Sequence, residues 1–590
     1  MSVPHPEPTR PQDEAAPAVP AGSRPIDSPP PADAPGRRTL PLRLVLTGVL
    51  GSLLVTVCSY GVGWIAPASP LQRWPWLAAW RTHEAAILAA VAGLAVGLWL
   101  MLWAWLRVYR RVDLRGDAAV GSLARASVWW ALPQLLALPI LSRDMFAYLA
   151  QGRMMVAGRN PYEDAIADVP NWLQLGADSM WAYDGTPYGP AFLWIEEVVV
   201  RALGVDLPAL AIGVFRLVAV AGLVLTAVFV PLIARRAGLP AAFALWLTVL
   251  NPLMIVHFVA SGHNDSLMVG LALAGTWCAM RAGGVDRSRP RPSAGAPASG
   301  APHPDDGAAP TDDGAAPTDS AAVRHGLGVL AAMLLALSVA IKPITLVLLP
   351  FVGLLWAGSQ AGWLRRFVFW AATAVVSLGT LAAVGAATGV GFGWLRVIAG
   401  TGTGSSPWSP VGLASTLVTA VLQGAEEAAD ADAVLATLKV VGRLASIVLV
   451  LVLMFVGRQD RVLPRMAWAF AAVVVLSPVI HAWYLLWLLP FFAAAVVRRA
   501  WHLGWVVFTV CFFLAFGAQD QIFTWDFLHL GETVRLVSLL TSAVCLAVIF
   551  LVDRRTRGFL GALVPLSAPV PRGQTDPAVE AHARTDRSAP

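Results

Sequence analysis

The feature that most constrains this chain is the recurrence of apolar runs of about 17 to 25 residues along almost its whole length. A helix of about 20 apolar residues crosses a hydrocarbon layer roughly 30 Å thick, and in lipid only helices and closed barrels satisfy every backbone polar group. The 590 residues are 57% hydrophobic and only 13% charged, which is outside the range of soluble domains. The sequence therefore predicts an all-α, polytopic membrane protein.

Arginine-rich connections between the apolar runs set the predicted orientation. If the N-terminus lies inside, segments such as RVYRRVDLRG, DRSRPRP and DRRTRG all fall on the cytoplasmic side, where Arg and Lys are enriched. Counting on this basis predicts about fourteen transmembrane helices. They are residues 41–66, 84–106, 124–141, 209–234, 240–260, 265–282, 325–341, 343–357, 367–388, 434–457, 463–480, 482–498, 501–518 and 533–552. Two stretches that would invert the pattern, 191–204 and 411–424, are predicted to be external interfacial helices.

Polar, low-complexity segments divide the chain into predicted parts. These are a disordered cytoplasmic tail at 1–40, an N-terminal transmembrane part at 41–282 with a large external loop at 142–208, a disordered cytoplasmic linker at 283–323 with the tandem repeat DDGAAPT, a C-terminal transmembrane part at 324–557, and a disordered cytoplasmic tail at 558–590.

Metal, disulfide and nucleic-acid functions are not indicated. The four cysteines fall inside apolar runs without a CxxC spacing, and no dedicated carboxylate cage is present, so neither a metal nor a cofactor is predicted. The net charge of +6 arises from arginines in the short connections, which is a topology signal and not a polyanion site.

The polar clusters that interrupt the apolar runs all fall on the external side in this topology. They are SRDMFAYLAQGR, NPYEDA, WAYDGTPYGP, SGHND, IKP, SSPWSP and SPVIHAWY. Unrelated membrane-edge residues would be distributed over both faces, so the grouping predicts one external site built from several loops.

Asp144 is the candidate general base of that site. Ser142 is placed to cap a helix whose first turn holds Asp144, with Tyr148 and Gln151 on the same face at i+4 and i+7. A partly desolvated carboxylate at the apolar boundary suits base catalysis. A helix-start carboxylate favoured by the helix dipole is the alternative.

Four cationic or titratable side chains are candidate ligands for a phosphate group. Arg143 and Arg153 flank Asp144, Lys342 stands between two apolar runs, and His481 precedes another run. The alternative for such residues is to snorkel to the interface.

The remaining candidates are polar and aromatic side chains suited to a sugar, whose C–H face is apolar while its hydroxyls need partners. They are Tyr148, Gln151, Tyr162, Trp181, Asp184, Tyr188, His263, Asn264, Asp265 and Trp483. An interfacial aromatic belt and an ordinary helix N-cap are the alternatives, although a helix N-terminus also attracts anions. Together the candidates indicate a lipid-linked, anionic, sugar-like substrate.

A run of motifs between residues 124 and 490 resembles the actinobacterial polyprenol-phosphate-mannose-dependent α-1,6-mannosyltransferases. The segments are LSRDMFAYLAQGRMMVAGRNPYE, TPYGPAFLW, NPLMIVHFVASGHNDSLMVGLALAG, SVAIKPITLVLLPF, SPWSPVGL and LSPVIHAWYLLW, in that order. The resemblance implies a GT-C-like bundle in the plasma membrane and a role in the mannan backbone of lipomannan and lipoarabinomannan, in cell envelope biosynthesis.

The resemblance also implies an inverting transfer at the external face. Asp144 would deprotonate an acceptor mannose 6-hydroxyl as it attacks the anomeric carbon of a β-linked mannosyl phosphopolyprenol. Lys342, Arg143 and His481, with Arg153 behind them, would stabilise the leaving phosphate. The implied partners are the polyprenyl-phosphate-mannose donor, a mannan glycolipid acceptor and membrane lipids, with no nucleic acid.

The chain departs from the family pattern at one point, and two alternative functions stay open. Many GT-C enzymes carry the catalytic carboxylate after their first transmembrane helix, whereas the count here places it after the third. A polyprenyl-phosphate-sugar transporter or flippase would also need many helices, but it should place ionisable residues near mid-membrane and show inverted repeats. A GT-C transferase of another sugar, such as arabinose, is the second alternative, because pocket shape selects the sugar.

Overall fold

The computed structural model describes residues 40–179, 182–203, 207–286, 320–400, 406, 408–424, 430–520 and 529–561. These residues are overwhelmingly helical and contain no β-strand, which confirms the predicted all-α class. The two predicted tails and the predicted linker lie almost entirely outside the described residues.

The helices are numbered in chain order. They are α1 Leu42–Val62, α2 Pro75–Thr82, α3 Glu84–Arg111, α4 Val120–Ala131, α5 Asp144–Val156, α6 Pro190–Leu203, α7 Pro208–Arg236, α8 Ala241–Leu247, α9 Pro252–Ile255, α10 Asp265–Ala282, α11 Ala321–Ile341, α12 Leu349–Ala357, α13 Trp363–Thr388, α14 Trp394–Gly400, α15 Pro410–Gly424, α16 Ala431–Phe455, α17 Val462–Val475, α18 Tyr484–Ala495, α19 Ala500–Asp520, α20 Gly531–Ala547 and α21 Gly558–Gly561. π-helical turns follow α9 at Val256–Ala260 and α20 at Val548–Val552.

Seven helices in the described part of the chain are long and apolar enough to cross a membrane. They are α1, α3, α7, α11, α13, α16 and the segment Gly531–Val552. An eighth span results if α8 and Pro252–Ala260, which are bent by 57° relative to each other, are taken together. The structure therefore confirms a multi-pass helical protein but does not confirm the predicted count of about fourteen spans.

Prolines and breaks within the apolar runs account for part of the difference in count. The predicted span 124–141 is α4, only 12 residues long, followed by a 3-10 turn that starts at Pro133. Proline lacks the N–H that would continue a helix, and its ring clashes with the preceding turn. Pro252 breaks the predicted span 240–260 in the same way.

Helix α10 lies among α7, α11 and α12 and positions the candidate site. It contacts α7 closely, because a Cβ on Gly222 would lie 2.2 Å from the backbone N of Leu267. Small residues at such contacts allow membrane helices to pack closely. Since α10 and α11 pack as neighbours, with Asp265 opening α10 and Lys342 directly following α11, the two charged residues meet at one end of the bundle.

The two stretches predicted to be interfacial are helices α6 and α15, and neither is long enough to count as a span. Helix α6 is amphipathic, with Phe192 and Glu196 buried and Trp194 exposed. Glu197 pairs with Arg201 at 2.6 Å on the outer face. Burial raises the pKa of Glu196 well above its ordinary value. The placement of both helices at the membrane surface stays a prediction.

Candidate active site

Asp144 opens α5, as the sequence predicts. Its backbone N–H donates to Ser142 Oγ at 3.1 Å, and the helix ends before Gly158, which has a left-handed φ of 73°. The chain enters this turn through Leu141 at φ 63°, a conformation that costs a side-chain-bearing residue about 1–2 kcal/mol. The Ser261 hydroxyl donates to the carbonyl of Ile140 at 2.6 Å and joins this turn to the segment before α10.

The segment before α10 is shaped by a π-helical turn and by Gly262. π-Helical turns are rare and often occur at functional sites. Gly262 has φ 62°, and a Cβ on it would lie 2.4 Å from Met145 Sδ. A residue with a side chain would therefore be both strained and too close to α5. The π-helical turn and Gly262 together place His263, Asn264 and Asp265 beside the start of α5.

Arg216 of α7 holds the two segments together. Its guanidinium donates to Leu135 O at 2.7 Å and Ala137 O at 2.8 Å on the Asp144 side, and to Val259 O at 2.8 Å and Ala260 O at 2.9 Å on the His263 side. Charge-assisted bonds of this kind are short and directional. Arg216 therefore helps to fix the relative position of the Asp144 and His263 segments, together with the bond from Ser261 to Ile140.

The Asp144 carboxylate is buried and receives two partners on one oxygen. Tyr188 donates its hydroxyl to Oδ2 at 3.4 Å, and His263 Nδ1 lies 3.2 Å from the same atom. Burial raises the pKa of Asp144, but the hydrogen bond and charge of His263, followed by the charges of Lys342 and His481, outweigh it and lower the pKa to about 2. Asp144 is therefore ionised at neutral pH and available as a proton acceptor.

Lys342 is not a snorkelling residue. Its Nζ donates to Asp265 Oδ1 at 2.8 Å and lies 5.5 Å from the ring of Tyr188, 5.6 Å from that of Tyr484 and 5.0 Å from that of Trp487. Burial lowers the pKa of Lys342, but the charge and hydrogen bond of Asp265 more than compensate and raise it above its ordinary value. A permanent positive charge is thus enclosed by aromatic faces beside Asp144.

Two histidines stack on Trp483. The ring of His263 lies 4.1 Å from that of Trp483, and the ring of His481 lies 4.4 Å from it with an interplanar angle of 2°. A third histidine, His257, lies 5.7 Å from His263. Burial lowers the pKa of His481 to about 4, although the charge of Asp144 acts to raise it. The imidazole of His481 is therefore neutral at pH 7.

Unpaired polar atoms are concentrated in this cluster. Among the described residues, no hydrogen-bond partner is found for either ring nitrogen of His257, for His263 Nε2, for the Asn264 amide, for Asp265 Oδ2 or for Trp483 Nε1. Each buried polar group left without a partner costs about 1–3 kcal/mol. Such a concentration indicates a site where bound molecules supply the missing partners.

Four further sugar-binding candidates lie in or beside this cluster. Tyr148 accepts from the backbone N–H of Asn264 at 3.3 Å. Gln151 accepts from the Thr186 hydroxyl at 3.1 Å, and Tyr162 donates its hydroxyl to Tyr188 O at 2.9 Å. The bond between Gln151 and Thr186 holds the loop that carries Tyr188 against α5.

Other candidates are placed elsewhere. Arg143 forms an ion pair with Asp178 at 3.4 Å, and its guanidinium lies 3.8 Å from the ring centre of Trp64. Arg153 is buried about 13 Å from Asp144 along the axis of α5. Asp184 is exposed at the surface, and Trp181 lies outside the described residues.

Sequence reasoning missed His257, Arg216 and Thr186. His257 and Arg216 each stand alone inside an apolar run, and an ionisable residue at membrane depth is itself a functional signal. Thr186 carries no such signal, because a threonine in a turn-rich loop has no distinguishing pattern. In the described part of the chain, no group of three or more His, Cys, Asp or Glu residues could hold a metal ion.

Comparison with known proteins identifies the class of protein that carries this buried carboxylate, histidine and lysine cluster. A family profile described as "Alpha-(1->6)-mannopyranosyltransferase, N-terminal domain" matches residues 45–358, and one described as "MptB C-terminal domain" matches residues 409–551. The chain belongs to this alpha-(1->6)-mannopyranosyltransferase family.

Curated relatives support the assignment. A probable alpha-(1->6)-mannopyranosyltransferase of Mycolicibacterium smegmatis is 32% identical over 392 residues, which cover 65% of this chain and 66% of the relative, just under two thirds of its length. Alpha-(1->6)-mannopyranosyltransferase A of Mycobacterium tuberculosis is 28% identical over 461 residues, covering 77% of this chain and 80% of that protein. No solved structure matches the chain.

Proposed function

We propose that this chain is an integral plasma-membrane transferase that moves mannose from polyprenyl-phosphate-mannose to a growing α-1,6-mannan glycolipid at the external face. The family membership supports the sugar and the linkage. The observation that carries the mechanism is the ionised, buried Asp144 carboxylate beside Lys342 and the histidine and aromatic cluster.

In the proposed step, Asp144 accepts the proton of the acceptor 6-hydroxyl while the hydroxyl oxygen attacks the anomeric carbon of the donor. The bond from that carbon to the phosphate oxygen breaks, and its electron pair leaves with the polyprenyl phosphate. Attack opposite the leaving group converts a β-linked donor into an α-linked product. A general base of this kind contributes about 10²- to 10⁴-fold in rate.

Lys342 and His481 are the best-placed groups for the leaving phosphate. Lys342 is held by Asp265, so the cluster has one permanent positive charge for the two carboxylates of Asp144 and Asp265. An arriving phosphate therefore favours protonation of His481 or another histidine of the cluster, because a nearby anion raises a histidine pKa. A phosphate contact by Arg143 would require the release of Asp178.

The distribution of arginines supports an external site. At the ends of the spans away from the Asp144 cluster, cationic residues are concentrated, as expected for a cytoplasmic face. They include Arg110, Arg111, Arg235, Arg236, Arg281, Arg324, Arg365 and Arg366.

The test is transfer of radiolabelled mannose from synthetic polyprenyl phosphomannose to a short α-1,6-mannoside, using purified wild-type protein and Asp144→Asn. Wild type should extend the acceptor, and the variant should lose about 10²- to 10⁴-fold in kcat with intact folding. The matched control is Asp432→Asn, an exposed aspartate in the first turn of α16, which should retain wild-type turnover.

Two outcomes contradict the proposal in different ways. Robust turnover by Asp144→Asn removes Asp144 from the role of base. A folded wild-type protein that transfers arabinose but not mannose from the corresponding polyprenyl-phosphate donors overturns the donor assignment.

A further inference from the structure

A cationic cavity lies at the other end of the bundle from Asp144. It has a volume of about 130 Å³, well above the ~15 Å³ that one water needs. Its lining comes from the end of α10, the start of α11, the end of α12 and the start of α13: Ala282, Ala321, Arg324, His325, Trp356, Arg365 and Phe369. Arg324 and Lys342 stand at opposite ends of α11, about 27 Å apart along the axis.

The two arginines of this cavity are fixed by helix ends. Arg324 Nε donates to Ala282 O at 2.8 Å, and Arg365 Nε donates to Ala357 O at 2.9 Å. These carbonyls belong to the last turns of α10 and α12, where carbonyl groups have no partner within the helix. Anchoring through Nε leaves the terminal nitrogens of each guanidinium for another ligand.

Nothing acidic neutralises these guanidinium groups within the described residues. The lining contains no Asp or Glu, and neither Arg324 nor Arg365 forms an ion pair in that part of the chain. The other walls are aromatic: the His325 ring stacks on Phe369 at 6.1 Å, and Trp356 lies 5.0 Å from the same ring. Two guanidinium groups surrounded by aromatic rings suit a phosphate group, because guanidinium binds phosphate through two parallel hydrogen bonds.

The surface next to the cavity is apolar. On α13, residues adjacent to Arg365 expose their side chains outward, with Leu364 81% exposed, Phe367 54% and Val368 55%. Exposed leucine and phenylalanine on a membrane-spanning helix lie against lipid chains. A phospholipid whose phosphate is held by Arg324 and Arg365 would thus have its acyl chains beside an apolar helix face.

We propose that this cavity binds the phosphate group of an anionic phospholipid from the leaflet opposite the candidate active site. Basic pockets between transmembrane helices recognise lipid headgroups through the same combination of cations and apolar surface. The inference is independent of the proposed transferase chemistry, because it rests on other residues at the other membrane interface.

The test measures thermal unfolding and lipid retention of the full chain in nanodiscs of phosphatidylcholine, with and without phosphatidylinositol. Phosphatidylinositol should raise the unfolding midpoint of wild type, and native mass spectrometry should detect the retained lipid. The double variant Arg324→Gln/Arg365→Gln should lose about 30-fold in apparent lipid affinity. Arg366→Gln is the matched control, because Arg366 lies outside the cavity with its Nε on Ala361 O.

Three results overturn the proposal. One is a double variant that retains wild-type stabilisation by phosphatidylinositol, and another is an equal loss in Arg366→Gln. The third concerns the wild-type protein in phosphatidylcholine discs. If inorganic phosphate raises its unfolding midpoint as much as phosphatidylinositol does, the site binds free phosphate and not a lipid. If the double variant does not fold, the exposed single variant Arg365→Gln is measured in the same way.

Discussion

The proposed base, Asp144, combines deep burial with a low pKa, and cations of the same cluster are the reason. Burial alone raises a carboxyl pKa, whereas His263, Lys342 and His481 together lower that of Asp144 to about 2. A carboxylate of such low pKa is a weak base in the free protein. A donor phosphate that shares the charge of Lys342 would raise the pKa of Asp144 and strengthen the base when the substrate is present.

The buried pair of Lys342 and Asp265 allows the structural and functional roles of Lys342 to be separated. Lys342→Met leaves the Asp265 carboxylate buried without its partner, which we expect to destabilise the protein by about 3–5 kcal/mol. Lys342→Met/Asp265→Asn should recover most of that stability and still use the donor poorly. Thermal unfolding and donor KM measure the two effects. A double variant with wild-type donor kinetics contradicts the phosphate assignment of Lys342.

The lowered pKa of His481 predicts that the protein loses stability on acidification. Its pKa falls from 6.5 in the unfolded chain to about 4 in the fold because of burial. Below pH 6.5 the unfolded state therefore takes up a proton that the folded state does not. The free energy of unfolding should decrease as pH falls from 6.5 to 4, by at most about 3 kcal/mol.

The measurement is the unfolding midpoint between pH 7 and pH 4 for wild type and His481→Phe, which retains an aromatic ring against Trp483. The variant should show a flatter profile in this window. Asp144 affects the free energy of unfolding only at lower pH. Its stabilising contribution is lost as pH falls from 3.8 towards 2. Identical profiles for the two proteins would exclude His481 as the source of the slope.

At the scale of elements, Arg216 is one of the residues that fix how α5 and α10 meet. Arg216→Lys keeps the charge but loses the fork that reaches four carbonyls, so the segments before Asp144 and His263 should shift relative to each other. A displacement of about 1 Å at a reacting group lowers the rate about 10²-fold. We expect kcat to fall by that factor with a smaller change in donor KM.

The control for Arg216→Lys is Arg201→Lys, which alters an arginine paired with Glu197 on the exposed face of α6. Its kcat should equal that of wild type. If Arg216→Lys is folded and turns over at the wild-type rate, the four carbonyl contacts do not position the site.

A comparison of the helices with the sequence shows which of them local patterns predict correctly. Asp144 at the start of α5, the end of α5 before Gly158 and the two helices α6 and α15 follow the predicted pattern. The predicted span 240–260 does not, because Pro252 breaks it and a π-helical turn follows. Apolar composition is the same for a straight span and for a broken one, so hydrophobicity alone cannot distinguish them. The contacts of Arg216 depend on tertiary packing and left no pattern beyond a lone arginine.

For the whole molecule, the sequence predicted the helical membrane class and the family, and both are confirmed. It also predicted that seven polar clusters form one external site, and the structure brings together residues of five of them: Asp144, Tyr188, His263, Lys342 and Trp483. Of the four predicted phosphate ligands, Lys342 and His481 lie close enough to Asp144 to lower its pKa, whereas Arg143 and Arg153 are not among the groups that do so. Arg143 lies next to Asp144 in sequence, yet it pairs with Asp178, because successive residues of a helix point in different directions.

The membrane orientation decides whether the proposed external chemistry is possible. Asp184 and Asp113 are both exposed, Asp184 in the loop near the Asp144 cluster and Asp113 in the arginine-rich connection after α3. Of the four native cysteines, Cys58, Cys278 and Cys511 are buried and Cys545 is partly buried, so Cys545→Ser is the background for every labelling variant. In intact cells, a membrane-impermeant maleimide should label Asp184→Cys and leave Asp113→Cys unlabelled until the membrane is permeabilised.

The opposite labelling would place the Asp144 cluster in the cytoplasm, where an external mannan acceptor has no access. The same result would locate the arginine-rich ends of α3, α7 and α10 outside, against the usual enrichment of arginine on the cytoplasmic side. Leu444→Cys, on the exposed face of α16, serves as a control for labelling within the bilayer and should react slowly in both conditions. Because the site residues sit at the ends of packed helices, orientation is a property of the whole bundle, and one pair of labelled positions determines it for every residue of the site.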